Sequence, residues 1–217
     1  MSLKLYYHPL SSFCWKPLIA LYEKEIVFTP QLVDLGDERS RAELFQVWPM
    51  GQFPVLKDDR SKKIIPQSAA IIEYLERSYT GGPKLVPEDA DSALEARRWD
   101  SFCDASLQVP MQKIVGDCLR PTGAKDPHGV NDAREILIRA YGVLENHLAQ
   151  KTWMIGDDFS MADCAAAPAL YYGDIVEPLG PAQPGLSAYL ARLEQRPSFA
   201  RVLREAAPYF SMFPYRK

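Results

Sequence analysis

Residues 53–83 read FPVLKDDRSKKIIPQSAAIIEYLERSYTGGP, and their pattern changes three times. FPVLKDD and KKIIPQ are short apolar runs joined by a charged turn, which predicts two neighbouring strands. From Ser68 onward, SAAIIEYLERSY repeats its apolar residues at helical spacing, and TGGP then stops the helix. Upstream, LKLYYH reads as a strand and SFCWKPLIALYEKE as a helix with Cys14, Leu18, Leu21 and Tyr22 on one face. IVFTPQLVDL is a second strand and DERSRAELFQVW a second helix. The order β-α-β-α-β-β-α predicts a mixed sheet with helices packed on it.

Past TGGPKLVPEDAD the strand patterns vanish. Helical segments are expected at 92–115, 131–150, 160–175 and 186–206, the last broken at RPS, with Gly/Pro punctuation in RPTGAKDPHG and EPLGPAQPG between them. An α/β unit over residues 1–82 followed by an all-helical unit over 90–217 is the organisation this implies.

The composition of the 217 residues excludes several classes of function. A net charge of -3 without a clustered basic surface gives no reason to expect nucleic acid. No apolar run approaches the ~20 residues needed to cross a bilayer, and the N-terminus lacks the apolar stretch of a secretory signal. Cysteines 14, 103, 118 and 164 show neither paired spacing nor a histidine cluster nearby. They predict reduced thiols, a cytoplasmic location and no metal site.

Three loop or cap positions in the first unit carry chemistry. In YYHPLSSFCWKPLIAL, residues 6–21, two serines and one cysteine stand at the mouth of a helix. Four unpaired N–H groups and the positive end of the macrodipole stabilise an anion there, a thiolate included. Ser11-x-x-Cys14 has the spacing of a redox Cys-x-x-Cys with serine in the first place. The mouth is therefore suited to a sulfur supplied by a ligand; the plainer alternative is that the serines cap the helix and Cys14 fills the core. In MGQFPVLKD, a cis Phe53–Pro54 bond would leave backbone groups at a sheet edge for an extended peptide to pair with; otherwise the segment is a turn. In PQSAAIIEYL, Ser68 is an N-cap candidate, and Gln67 and Ser68 stand where a helix N-terminus suits a carboxylate, or merely caps itself. Together the three fit a small anionic thiol peptide.

On these motifs the chain resembles the cytosolic glutathione S-transferases over essentially its whole length. The resemblance implies a thioredoxin-like N-terminal domain, an all-α C-terminal domain, and glutathione as co-substrate without a metal. SSFCWKPLIAL is similar to the serine-type motif of theta, zeta and related bacterial members, which assigns thiol activation to Ser11, with Ser12 as the nearest substitute. By the same resemblance, Gln52 reaches the glycyl end, the Phe53 backbone pairs with the cysteinyl moiety, Pro54 is the cis-proline, and Gln67 and Ser68 hold the γ-glutamyl end. The partner is a small hydrophobic electrophile or a peroxide, and a homodimer and a role in detoxification are implied. Candidate walls for the electrophile cleft are Leu10, Phe13, Met111, Ile114 and Val115.

FSMADCAAAPAL adds a capping box, with Ser160 and Asp163 reciprocating and Phe159 and Cys164 placed as a hydrophobic staple. This box is characteristic of the family and serves folding. Some residues depart from the pattern. Pro17 is expected to bend the first helix or cost it a bond. Tyr7 ends the first strand, where tyrosine-type members keep their catalytic hydroxyl, and is a rival donor. Phe13 and Lys16 stand where the zeta-type motif has cysteine and arginine, which weakens the alternative of a maleylacetoacetate-type isomerase. A non-catalytic glutathione-binding interaction module is the other alternative. His8, His128 and His147 are expected to be structural or exposed.

Overall fold

The computed structural model describes residues 3–215, so residues 1–2 and 216–217 of the two expected units lie outside it. Leu3–Tyr7 (β1) pairs in parallel with Thr29–Leu32 (β2) and antiparallel with Val55–Asp58 (β3). Lys63–Pro66 (β4) pairs antiparallel with β3, giving the order β2-β1-β3-β4. The parallel pair requires a crossover, supplied by Ser12–Glu23 (α1). Glu38–Val47 (α2) leads into β3, and Ser68–Ser78 (α3) follows β4.

The pleat sorts the strand residues. Leu5 faces Leu56 across the β1–β3 ladder, and both are fully buried on the side of α1 and α3. Tyr6 and Val55 turn to the opposite face, where they pack with Val33 and with Leu44 of α2.

Ala90–Cys103 (α4) and Val109–Cys118 (α5) are joined by a π-helical turn at Asp104–Gln108. The single helix expected over this region is thus interrupted. Pro110 has no N–H to offer the carbonyl of Ser106, and the wider turn just before it accommodates the lost bond. Pro127–Leu148 (α6), Met161–Val176 (α7), Pro184–Gln195 (α8) and Pro197–Ala206 (α9) complete the helical part, and α6, α8 and α9 each start on a proline. Arg196, between α8 and α9, is extended, the conformation that a following proline favours.

Helix α7 is the central one. The capping box forms: Ser160 Oγ accepts the N–H of Ala162, and Asp163 accepts the N–H of Ser160 at 2.9 Å. Ala165, Ala166, Ala167 and Ala169 are fully buried, and these small side chains let α1 and α4 approach closely. One apolar core runs from β1 and α1 through α7 into α8.

The seam between the sheet and the helices fixes the segment before α1. Trp15 is fully buried, lies 4.7 Å from the Tyr172 ring, and donates Nε1–H to the Pro9 carbonyl at 2.6 Å. Tyr172 donates its hydroxyl to the Leu10 carbonyl at 3.0 Å. Pro9 and Leu10 are therefore held from both sides immediately ahead of Ser11. Helix α1 runs through Pro17 unbroken; the cost there is the missing N–H partner for the Phe13 carbonyl.

Candidate active site

Ser11 is the N-cap of α1: its backbone is extended, its Oγ accepts the N–H of Cys14 at 3.4 Å, and its own N–H is donated to the His8 carbonyl. Ser12 is the first helical residue and is buried. Cys14 has no exposure, and burial pushes its thiol up to about 12 against the lowering effect of the bond from Ser11. It is core filler, and the helix mouth has no thiolate of its own.

At the start of α3 the expectation is corrected. Gln67, not Ser68, is the N-cap, and no side chain caps the helix. Gln67 sits at φ 73, a left-handed backbone unusual for a side-chain-bearing residue, while Ser68 is already helical and buried. With no side-chain cap, the first-turn N–H groups of α3 remain available to a ligand.

A cavity of about 410 Å³ brings Ser11, Gln52, Phe53, Pro54, Gln67 and Ser68 together; Phe13, expected on the electrophile cleft, lines this cavity and not the neighbouring second one. The Phe53–Pro54 peptide is cis. Leu35, Trp48 and Gln112 line the same cavity. None of the three carries a local signal, since each arrives from an element distant in sequence.

A second cavity, of about 450 Å³, shares Ser11, Phe53, Leu35 and Gln112 with the first. Leu10, Met111 and Val115 line it, as do His8 and Ser12. Ile114 lines neither cavity. It is buried in the core, because on α5 it lies off the face that carries Met111 and Val115, four residues apart. Ser11 thus stands on the wall common to two cavities, of which the second is the more apolar.

The titratable groups around the site are distinct in state. Tyr7 lines neither cavity, and burial raises its pKa. His147 shares a 2.6 Å hydrogen bond with the Met154 carbonyl under Trp99, and His128 lies on the surface near Asp132. His8 is half-buried and lines the second cavity. Lys16 is fully buried, 2.9 Å from Asp100 and 2.7 Å from Asp104. Burial opposes its charge, but the two carboxylates outweigh it and raise its pKa. Among the described residues no group of His, Cys, Asp or Glu has a metal-holding arrangement, and no helix is long and apolar enough to cross a membrane.

Comparison with known proteins agrees with this fold. The family model for the glutathione S-transferase N-terminal domain matches residues 5–83, and that for the C-terminal domain matches residues 103–197. The chain is 27% identical to the glutathione S-transferase GstB of Escherichia coli, covering 87% of this chain and 91% of that one. It is 29% identical to the FtsZ-localized protein A of Caulobacter vibrioides, covering 94% and 92%. A solved glutathione S-transferase from Methylobacillus flagellatus, with glutathione bound, superposes with a TM-score of 0.83 at 25% identity, covering 93% of this chain and 98% of that one. With both of the family's domains matched in order, and with the sheet and helices arranged as in its solved members, the chain belongs to the glutathione S-transferase family.

Proposed function

We propose that this protein is a glutathione transferase of the serine type, in which Ser11 holds the glutathione sulfur as a thiolate. One observation carries the reading: a single cavity gathers the Ser11 hydroxyl at the mouth of α1 with Gln52, the cis Phe53–Pro54 segment, and Gln67 and Ser68 at the uncapped start of α3. A free thiol has a pKa of roughly 8.5 and is mostly protonated at neutral pH. A hydroxyl donor and the positive end of a helix favour the anion, and Ser11 combines both.

The residues divide the peptide between them. The α3 N-terminus, with Gln67 and Ser68, receives the γ-glutamyl carboxylate. Phe53 offers backbone groups to the cysteinyl part, and Gln52 reaches the glycyl end. The thiolate then faces the second cavity, where the walls of Leu10, Met111 and Val115 suit an apolar electrophile. Ser12, buried beside the mouth, is the substitute donor. A homodimer, a cytoplasmic location and a role in detoxification accompany this proposal.

The isomerase alternative draws no support from Lys16, which is enclosed with Asp100 and Asp104 and lines neither cavity. The test is a titration of glutathione into the protein, followed by thiolate absorbance. Wild type develops the signal and Ser11→Ala loses it. Retention on immobilised glutathione with no thiolate signal in wild type would instead identify a carrier or interaction module.

A further inference from the structure

His8 directly follows β1 and is one of the residues lining the second cavity, beside Leu10, Ser11 and Ser12. Its Nδ1 accepts the N–H of Leu10 at 3.2 Å. A backbone N–H can only donate, so Nδ1 is bare and the ring proton sits on Nε2. The ring is held in place by Phe53, stacked at 6.1 Å, and by Tyr209, edge-on at 6.4 Å. Burial lowers its pKa from 6.5, against a weaker opposite pull from Asp34, which favours the neutral imidazole. Among the described residues, Nε2–H has no hydrogen-bond partner. The other polar side chains of the cavity have other work: Tyr172 donates to the Leu10 carbonyl, Ser11 belongs to the thiolate with Ser12 as its substitute, and Gln112 is exposed and shared with the first cavity.

We propose that His8 is a further catalytic residue, donating its Nε2–H to the oxygen of an epoxide or an α,β-unsaturated carbonyl as glutathione adds to carbon. The inference rests on the transferase reading. The thiolate sulfur forms a C–S bond; in an epoxide the C–O bond breaks and its pair goes to oxygen. In an enone the C=C π pair shifts and the carbonyl oxygen takes the charge. The donor stabilises that oxyanion without surrendering its proton, as a neutral imidazole of fixed tautomer does. Water then protonates the alkoxide oxygen or the enolate α-carbon, and the hydroxide formed is neutralised by the proton the thiol released.

The experiment compares the full-length protein with His8→Phe and His8→Leu, which lack the donor, and with His8→Gln, which restores an N–H. Each is assayed with glutathione on phenylbutenone and on benzyl chloride, whose charge leaves on chloride instead of oxygen. The ratio of kcat/KM for the enone over benzyl chloride falls on the order of 100-fold in the Phe and Leu variants, the scale of one lost oxyanion donor. It recovers in part with Gln. A ratio unchanged in either folded donor-less variant overturns the proposal. A Ser11→Ala control separates the two readings: it loses both substrates if the transferase reading holds. A wild type that conjugates neither substrate overturns that reading and this one together.

Discussion

Lys16 of α1 and Asp100 of α4 form an ion pair of 2.9 Å whose two side chains are almost wholly out of water. The pair ties the helix that opens the site to the helical part of the molecule, and Asp104 of the π turn joins it at 2.7 Å. Lys16→Met strands two carboxylates around an apolar side chain. A loss of about 3 kcal/mol or more is expected from breaking such a pair, read from the denaturant midpoint.

The burial of Asp100 makes stability depend on pH. Burial, opposed by Lys16, pushes the Asp100 carboxyl up to about 6, against about 3.9 in an unfolded chain. Between those values the folded state keeps a proton that the unfolded state has released. This contribution is complete below the unfolded pKa and disappears as pH rises through the folded one. The melting temperature of wild type therefore carries a falling component from about pH 4 to about pH 6. Asp100→Asn removes that component. A wild-type curve with the same slope as the variant's would refute the assignment.

Under the proposed reading, Ser11 and Tyr7 are the two candidate hydroxyls for the sulfur, and their surroundings separate them. Ser11→Ala should cut kcat/KM for chlorodinitrobenzene on the order of 100-fold, while costing only about 1 kcal/mol as a lost cap. Tyr7→Phe should stay within a few-fold of wild type, because Tyr7 lines neither cavity. The reverse ranking in steady-state kinetics would transfer the role to Tyr7.

Gln67 is a side chain kept in a backbone region that suits glycine. Such strain costs about 1–3 kcal/mol, more than the roughly 0.5–1 kcal/mol of added chain entropy a glycine brings. Gln67→Gly is accordingly expected to melt no lower than wild type while binding glutathione more weakly by calorimetry. Opposite signs in the two measurements distinguish a residue kept for its ligand from one kept for the fold.

Asp163 accepts N–H groups from Met154 and Ser160 and hydroxyls from Ser160 and Tyr189, all in the interior. Asp163→Ala leaves those donors buried without an acceptor, at about 1 kcal/mol or more for each. A drop of about 3 kcal/mol or more in unfolding free energy is expected. A smaller loss in chemical denaturation would mean that water reaches the start of α7.

Much of this molecule is local and therefore legible in the chain itself. The order of strands and helices follows from apolar period and from proline and glycine punctuation. The Ser160–Asp163 box needs only residues three apart, and the cap at Ser11 needs only its own first turn. Such features depend on the backbone's immediate neighbours, which the sequence lists in order. Folding in three dimensions decided the rest. It buried Cys14 and raised its pKa, gave Gln67 its left-handed backbone and the cap position expected of Ser68, and sent Ile114 inward while leaving Val115 on a cavity wall. It also brought Lys16 to Asp104 across 88 residues and Gln112 to both cavities. Burial, charge pairing and cavity shape depend on which surfaces meet, and no periodicity along a single chain records that.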